Sequence, residues 1–161
     1  MSAVTFSDDI LTQMAAWVAK YPKGQRQSAV LPILLLVQEA HEGWLSRDLL
    51  DAVADYLDMP KIAVYEVATF YSMYELAPTG KHIINVCTNI SCLLSGSEEI
   101  MTHLEDRLGI HCGETTPEGK VTLREVECMA ACTRAPMCEI GKRYYEQLTP
   151  DKLDTILAGL D

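Results

Sequence analysis

Four cysteines fall as two close pairs, Cys87-x4-Cys92 and Cys128-x3-Cys132, with 35 residues between the pairs. Thiolates are ligands for soft metal centres, and spacing this tight lets both members of a pair reach one metal atom from one loop. Structural zinc commonly takes C-x2-C knuckles around a single tetrahedral ion, whereas two sulfide-bridged irons take two thiolates each and tolerate longer loops. The spacing favours a [2Fe–2S] centre over zinc. Such a centre with four thiolates is a bulky anion, roughly −2 oxidised and roughly −3 reduced, so its loops must offer N–H and O–H donors. Thr88, Ser91, Ser95, Gly96 and Thr133 supply hydroxyls and bare amides, and Ala130 and Ala131 keep the second loop slim. Arg134 is the nearby cation expected to favour the reduced state.

Other uses of cysteine compete with this reading. Free Cys is among the most buried residue types, and Cys112 and Cys138, each alone near apolar neighbours or a turn, are expected to be core thiols. A disulfide framework belongs to an oxidising compartment. The segment Met1 to Asp9 has neither the basic nor the apolar region of an export signal, so none is expected. A thiol oxidoreductase wants a C-x-x-C pair, and the chain has none. His41, His82, His103 and His111 are dispersed, and Glu98-Glu99 and Glu105-Asp106 read as solvated helix faces. There is no G-x-G-x-x-G, P-loop or nucleophile elbow, hence no recognised motif for a nicotinamide, a flavin or a nucleoside triphosphate. No residue is assigned a catalytic role.

The elements that must position the cysteines come from periodicity. Ile10, Leu11, Met14, Trp17 and Val18 form a helical stripe behind Ser7 as N-cap, and the apolar segment from Ser28 to Glu42 reads as a buried second helix stopping at Gly43. Leu49, Leu50, Val53, Tyr56 and Leu57 follow Ser46, and Pro60 opens a fourth helix carrying Val64, Val67, Ala68, Tyr71 and Tyr74. Phe70, Tyr71 and Tyr74 are expected in the core or at an interface. Ala77-Pro78-Thr79-Gly80 breaks the helical pattern, and the β-branched run 82–86 reads as a strand ending at Cys87. A helix with Ile100, Met101, Leu104 and Leu108 stops at Gly109. A strand pair around Pro117-Glu118-Gly119-Lys120, a hairpin around Gly141-Lys142 and a last helix from Thr149-Pro150 complete the order, roughly β-α-β-β-β-α from residue 81. Both pairs of cysteines then sit where strands end, on two loops at one edge of a sheet. The expected class is α+β, with a helical bundle over 1–77 and a second domain over 78–161.

Composition narrows the partners. The chain has 161 residues, 48% of them apolar, and a formal net charge of −10, which repels phosphate backbones and anionic lipid. Nucleic acid is not an expected partner. The longest apolar run, Ala29 to Val37, is half of the roughly 18 residues that cross a bilayer, so direct membrane insertion is not expected. Each half carries −5, so charge does not distinguish them.

Three stretches carry a family resemblance: Val67-Ala68-Thr69-Phe70-Tyr71-Ser72-Met73-Tyr74, Val86-Cys87-Thr88-Asn89-Ile90-Ser91-Cys92, and Glu127-Cys128-Met129-Ala130-Ala131-Cys132-Thr133-Arg134-Ala135-Pro136-Met137. The sequence resembles the E-subunit family of bacterial NADH:quinone oxidoreductase, respiratory complex I, over nearly its whole length. The resemblance implies a helical bundle followed by a thioredoxin-like ferredoxin domain holding one [2Fe–2S] cluster, with Cys87, Cys92, Cys128 and Cys132 as ligands. It implies that FMN and NADH bind a partner, the F subunit, with the G subunit beside it. The cluster would then be a side acceptor for one of the two electrons that a hydride delivers to the flavin. No turnover is expected from this chain alone, and the implied location is cytoplasmic, peripheral on the inner face of the cell membrane through the complex. The helical half, with its Tyr-rich fourth helix, is the candidate docking surface. Met129-Ala130-Ala131 replaces the commoner Leu-Gly-Ala, and Cys138 stands where methionine is usual; neither change removes a ligand. A similar module resembles the small diaphorase subunit of NAD-linked hydrogenases and formate dehydrogenases, and a zinc-stabilised interaction domain is the non-redox alternative.

Overall fold

A computed structural model describes residues 5–160. Its contacts divide the chain into two compact units, Met1–Pro78 and Thr79–Asp161. The class is α+β.

The first unit is helical: α1 (Asp8–Val18), α2 (Val30–Ala40), α3 (Arg47–Leu57) and α4 (Lys61–Phe70). Ser7 and Ser46 accept the Ile10 and Leu49 amides as N-caps of α1 and α3, satisfying donors that a helix start leaves free. The core gathers Met14, Ile33, Leu34, Val37, Leu45, Val53 and Val64, all buried to within 1%. Two expectations change here. The second helix is preceded by a separate 3-10 turn, Arg26–Ala29, rather than running on from Ser28. The fourth helix ends at Phe70, because Tyr71 is extended and the segment beyond it is held by side chains. Buried Gln38 donates to the Met73 carbonyl at 3.1 Å and accepts from the Glu75 amide at 2.7 Å, while the Tyr74 hydroxyl donates to the Leu31 carbonyl at 2.8 Å. Tyr74 is buried, but Phe70 is 80% exposed and Tyr71, Met73 and Leu76 are also open to solvent.

The second unit carries β1 (His82–Cys87), α5 (Ile90–Leu94), α6 (Ser97–Leu108), β2 (Val121–Val126), β3 (Cys138–Ile140), β4 (Arg143–Tyr145) and α7 (Pro150–Ala158). The sheet order is β2-β1-β3-β4, with β1 and β2 parallel and the other two pairings antiparallel. Ile84, Val86, Leu123 and Ile140 from the sheet pack with Ile100 and Leu104 of α6 and Leu153 of α7. Gly109 in the left-handed conformation closes α6, and the Thr149 side chain caps α7 ahead of Pro150. Before the 117–120 turn the expected strand is reduced to a single bridge, Thr115 to Thr122, since the backbone turns at Cys112-Gly113 with Gly113 at φ +92°. The short helix α5, which periodicity does not predict, is capped by Asn89. Among the described residues no helix is long and apolar enough to cross a membrane.

Candidate metal centre

The parallel register pairs Cys87 with Val126, so β1 and β2 end side by side and their following loops leave from one edge. Cys87 is the last residue of β1 and Cys92 lies on α5. Cys128 follows β2 by two residues, and Cys132 opens a 3-10 turn, Cys132–Arg134. The loops are tied together: the Asn89 carboxamide, whose oxygen caps α5, donates to Glu127, and the Thr88 amide donates to the Val126 carbonyl at 3.2 Å. Beneath them the Cys87 amide donates to the Met137 carbonyl at 3.1 Å, and Met137 packs fully buried against Cys87 and Cys92.

The four thiols divide two and two. Cys87 and Cys92 are buried, 2% and 1% exposed, whereas Cys128 and Cys132 face solvent with their sulfurs 3.3 Å apart. Burial, then the neighbouring Cys87 thiol, pushes Cys92 up to about 11. The Ala130 amide, which donates to Cys128 Sγ at 3.4 Å, and the Cys132 thiol hold Cys128 below the usual thiol range; Cys132 is raised, chiefly by Cys128. All six cysteines are free thiols. Among the described residues no three His, Cys, Asp or Glu side chains converge on a single-ion position. Sulfurs grouped as two couples suit a two-iron core, which needs two thiolates per iron, better than one tetrahedral ion.

Ala130 sits at φ +64°, the left-handed region that suits glycine. Alanine adopts it at a cost of about 1–2 kcal/mol. Of the hydroxyls expected around the sulfurs, that of Ser91 acts to lower the Cys132 thiol. Thr88 lines a cleft of about 430 Å³ with Leu93, Glu98, Met101, Thr102 and Glu125, and Thr133 is exposed. Arg134 is bound to Glu146 at 3.1 Å, so the positive charge expected to act near the sulfurs is locally balanced. Cys138 is fully buried as expected, but Cys112 is exposed: Ile110 takes the last buried position, and the turn beyond it carries Cys112 outward with its amide on Glu105 at 2.8 Å. Among the described residues the histidines do not gather into a metal-binding group. His41 bonds the Val37 carbonyl, His103 pairs with Asp154 at 3.0 Å, and His111 lies 3.7 Å from Glu105.

The family model of the thioredoxin-like [2Fe-2S] ferredoxins matches residues 14–161. The chain belongs to this family. As a thioredoxin-like [2Fe-2S] ferredoxin it has a [2Fe–2S] cluster as its cofactor, and the paired thiols at the end of β1 and β2 fit that group. Relatives include the NADH-quinone oxidoreductase E subunit of Rickettsia bellii, 45% identical over 89% of this chain and 86% of its own. The E subunit of Rickettsia conorii is 44% identical over 97% and 93%, and the E 2 subunit of Rhizobium meliloti 43% identical over 90% and 84%. A crystal structure of an NAD+-reducing [NiFe]-hydrogenase in the H2-reduced state shares the fold, with a TM-score of 0.70 at 18% identity over 79% of this chain and 22% of that longer one.

Proposed function

We propose that Cys87, Cys92, Cys128 and Cys132 are the cluster ligands of a ferredoxin that serves as the E-type electron-transfer subunit of an NADH:quinone oxidoreductase. The two-and-two grouping of thiols at neighbouring parallel strand ends carries this reading. When bound, the cluster supplies one-electron exchange; the chain's own residues hold it and set its surroundings. The buried pair excludes water on one side through Met137, and the exposed pair leaves an open side. The Ala130 amide and the Ser91 hydroxyl offset negative charge on the exposed sulfurs. With no motif for a nicotinamide or flavin in this chain, NADH and FMN belong to a partner, the F subunit, with the G subunit beside it. Residues 1–77 are the docking part, and the exposed Phe70, Tyr71, Met73 and Leu76 are its candidate contact surface. The complex places the chain at the inner face of the cell membrane, on the cytoplasmic side. Identity of 43–45% along nearly the full length favours this host over the hydrogenase, whose likeness is one of fold.

Metal and acid-labile sulfide analysis with EPR of the dithionite-reduced protein tests the reading. Two irons and two sulfides per chain and one S = 1/2 signal are expected. Serine in place of any of the four cysteines should perturb or abolish the signal, while Cys112→Ser and Cys138→Ser leave it intact. Zinc without sulfide, or a C128S protein with an unchanged spectrum, would overturn the assignment.

A further inference from the structure

A residue of β4 reaches across to the loop that carries the exposed cysteines. The Tyr144 hydroxyl donates to the Met129 carbonyl oxygen at 3.2 Å, and the Ala130 amide donates to Cys128 Sγ at 3.4 Å. These two bonds belong to one peptide unit, since the Met129 carbonyl and the Ala130 N–H are the two ends of the same amide. In a trans peptide they point in opposite directions. Tyr144 and Cys128 are therefore joined through a single rigid plane: hydroxyl to carbonyl on one side, N–H to sulfur on the other.

The neighbouring backbone is arranged to keep this plane in place. Ala130 is left-handed at φ +64°, a conformation that alanine holds only where its surroundings fix it. The chain then bends into the 3-10 turn, with the Arg134 amide on the Ala131 carbonyl at 2.9 Å. Tyr144 is 46% exposed, so burial alone does not account for its placement. A hydrogen bond on a carbonyl polarises the amide and strengthens donation from its N–H. A stronger N–H···S bond withdraws charge from a ligand sulfur and favours the reduced form of an iron–sulfur centre.

We propose that Tyr144 is a positioning residue that sets the hydrogen bonding of Cys128, and with it the reduction potential of the centre, through the Met129–Ala130 peptide. The proposal rests on Cys128 being a ligand. Its test is a redox titration of cluster-loaded Tyr144→Phe and Tyr144→Leu proteins, followed by EPR, with amide hydrogen exchange at Ala130 as a second readout. Phenylalanine keeps the ring and loses only the hydroxyl. Both variants should have a more negative midpoint than the parent and faster exchange at Ala130, with thermal melting of the Phe variant close to the parent. A Phe variant with parental midpoint and exchange, or a shift seen only with Leu, would show that the ring merely packs and would overturn the proposal. The C128S protein separates the two layers: if its spectrum changes while the Phe variant stays parental, the ligand assignment stands and the role of Tyr144 falls.

Discussion

Two thiols outside the close pairs look alike in the sequence and differ in the fold by access to solvent. Cys138 is wholly enclosed, and burial pushes it up to about 12 from an ordinary 9.0, which suppresses its thiolate form. A maleimide added to the native protein should label Cys112 and spare Cys138 until denaturant is present, as peptide mass mapping will read. Arg134→Ala should leave the midpoint potential nearly unmoved, because Glu146 already balances that guanidinium; a substantial negative shift would show the cation acting on the cluster after all. The grouping of four thiols into two couples was legible because residues at i and i+4 or i+5 on one loop lie close together. The Arg134–Glu146 pairing and the outward turn at Cys112 were not, because both depend on where the β3–β4 hairpin and the loop after α6 come to lie.

Gly80 enters β1 against the backbone of β2. A Cβ built there would stand 2.7–2.8 Å from Val121 and Thr122 main-chain atoms, and the Gly80 amide donates to the Thr122 hydroxyl at 2.7 Å. Gly80→Ala must push the two parallel strands apart, at a cost of about 1–3 kcal/mol in urea unfolding. In the first unit, Tyr74→Phe removes the bond to the Leu31 carbonyl and should cost about 0.5–1.5 kcal/mol. Burial pushes the Tyr74 hydroxyl up to about 12, so its contribution is intact below the ordinary value of 10.0 and is lost as pH rises through about 12. The Phe variant should therefore show a shallower alkaline loss of stability. Starts and stops with a local chemical cause were readable: Ser7, Ser46 and Thr149 as caps, Gly109 as a terminus. The early end of α4 was not, because Gln38, 35 residues from Met73, supplies the competing hydrogen bonds.

The molecule carries a formal charge of −10, and Asp154 and Asp51 are carboxylates held by neighbouring donors. The hydrogen bond from His103, then Arg107, holds Asp154 below its ordinary value, and Lys61 followed by Tyr65 does the same for Asp51. For carboxyls lowered in this way the stabilisation is present above the unfolded value near 3.8 and disappears as pH falls through the depressed one. Asp154→Asn should lower the urea midpoint at pH 7 and converge on the parent in strong acid; equal differences at both pH values would contradict the linkage. The α+β class and the edge holding the cysteines could be inferred from strand ends, while the two-stage grouping of buried and exposed sulfurs required the parallel register of β1 and β2. That register also decides when the two couples of sulfurs can meet. The second couple of sulfurs leaves the ribosome after the whole connection through α5 and α6, and it meets the first only when β2 has zipped alongside β1. On the proposed ligand assignment, a chain truncated before Val121 carries only the first couple of sulfurs, half of the four thiolates that a two-iron centre takes.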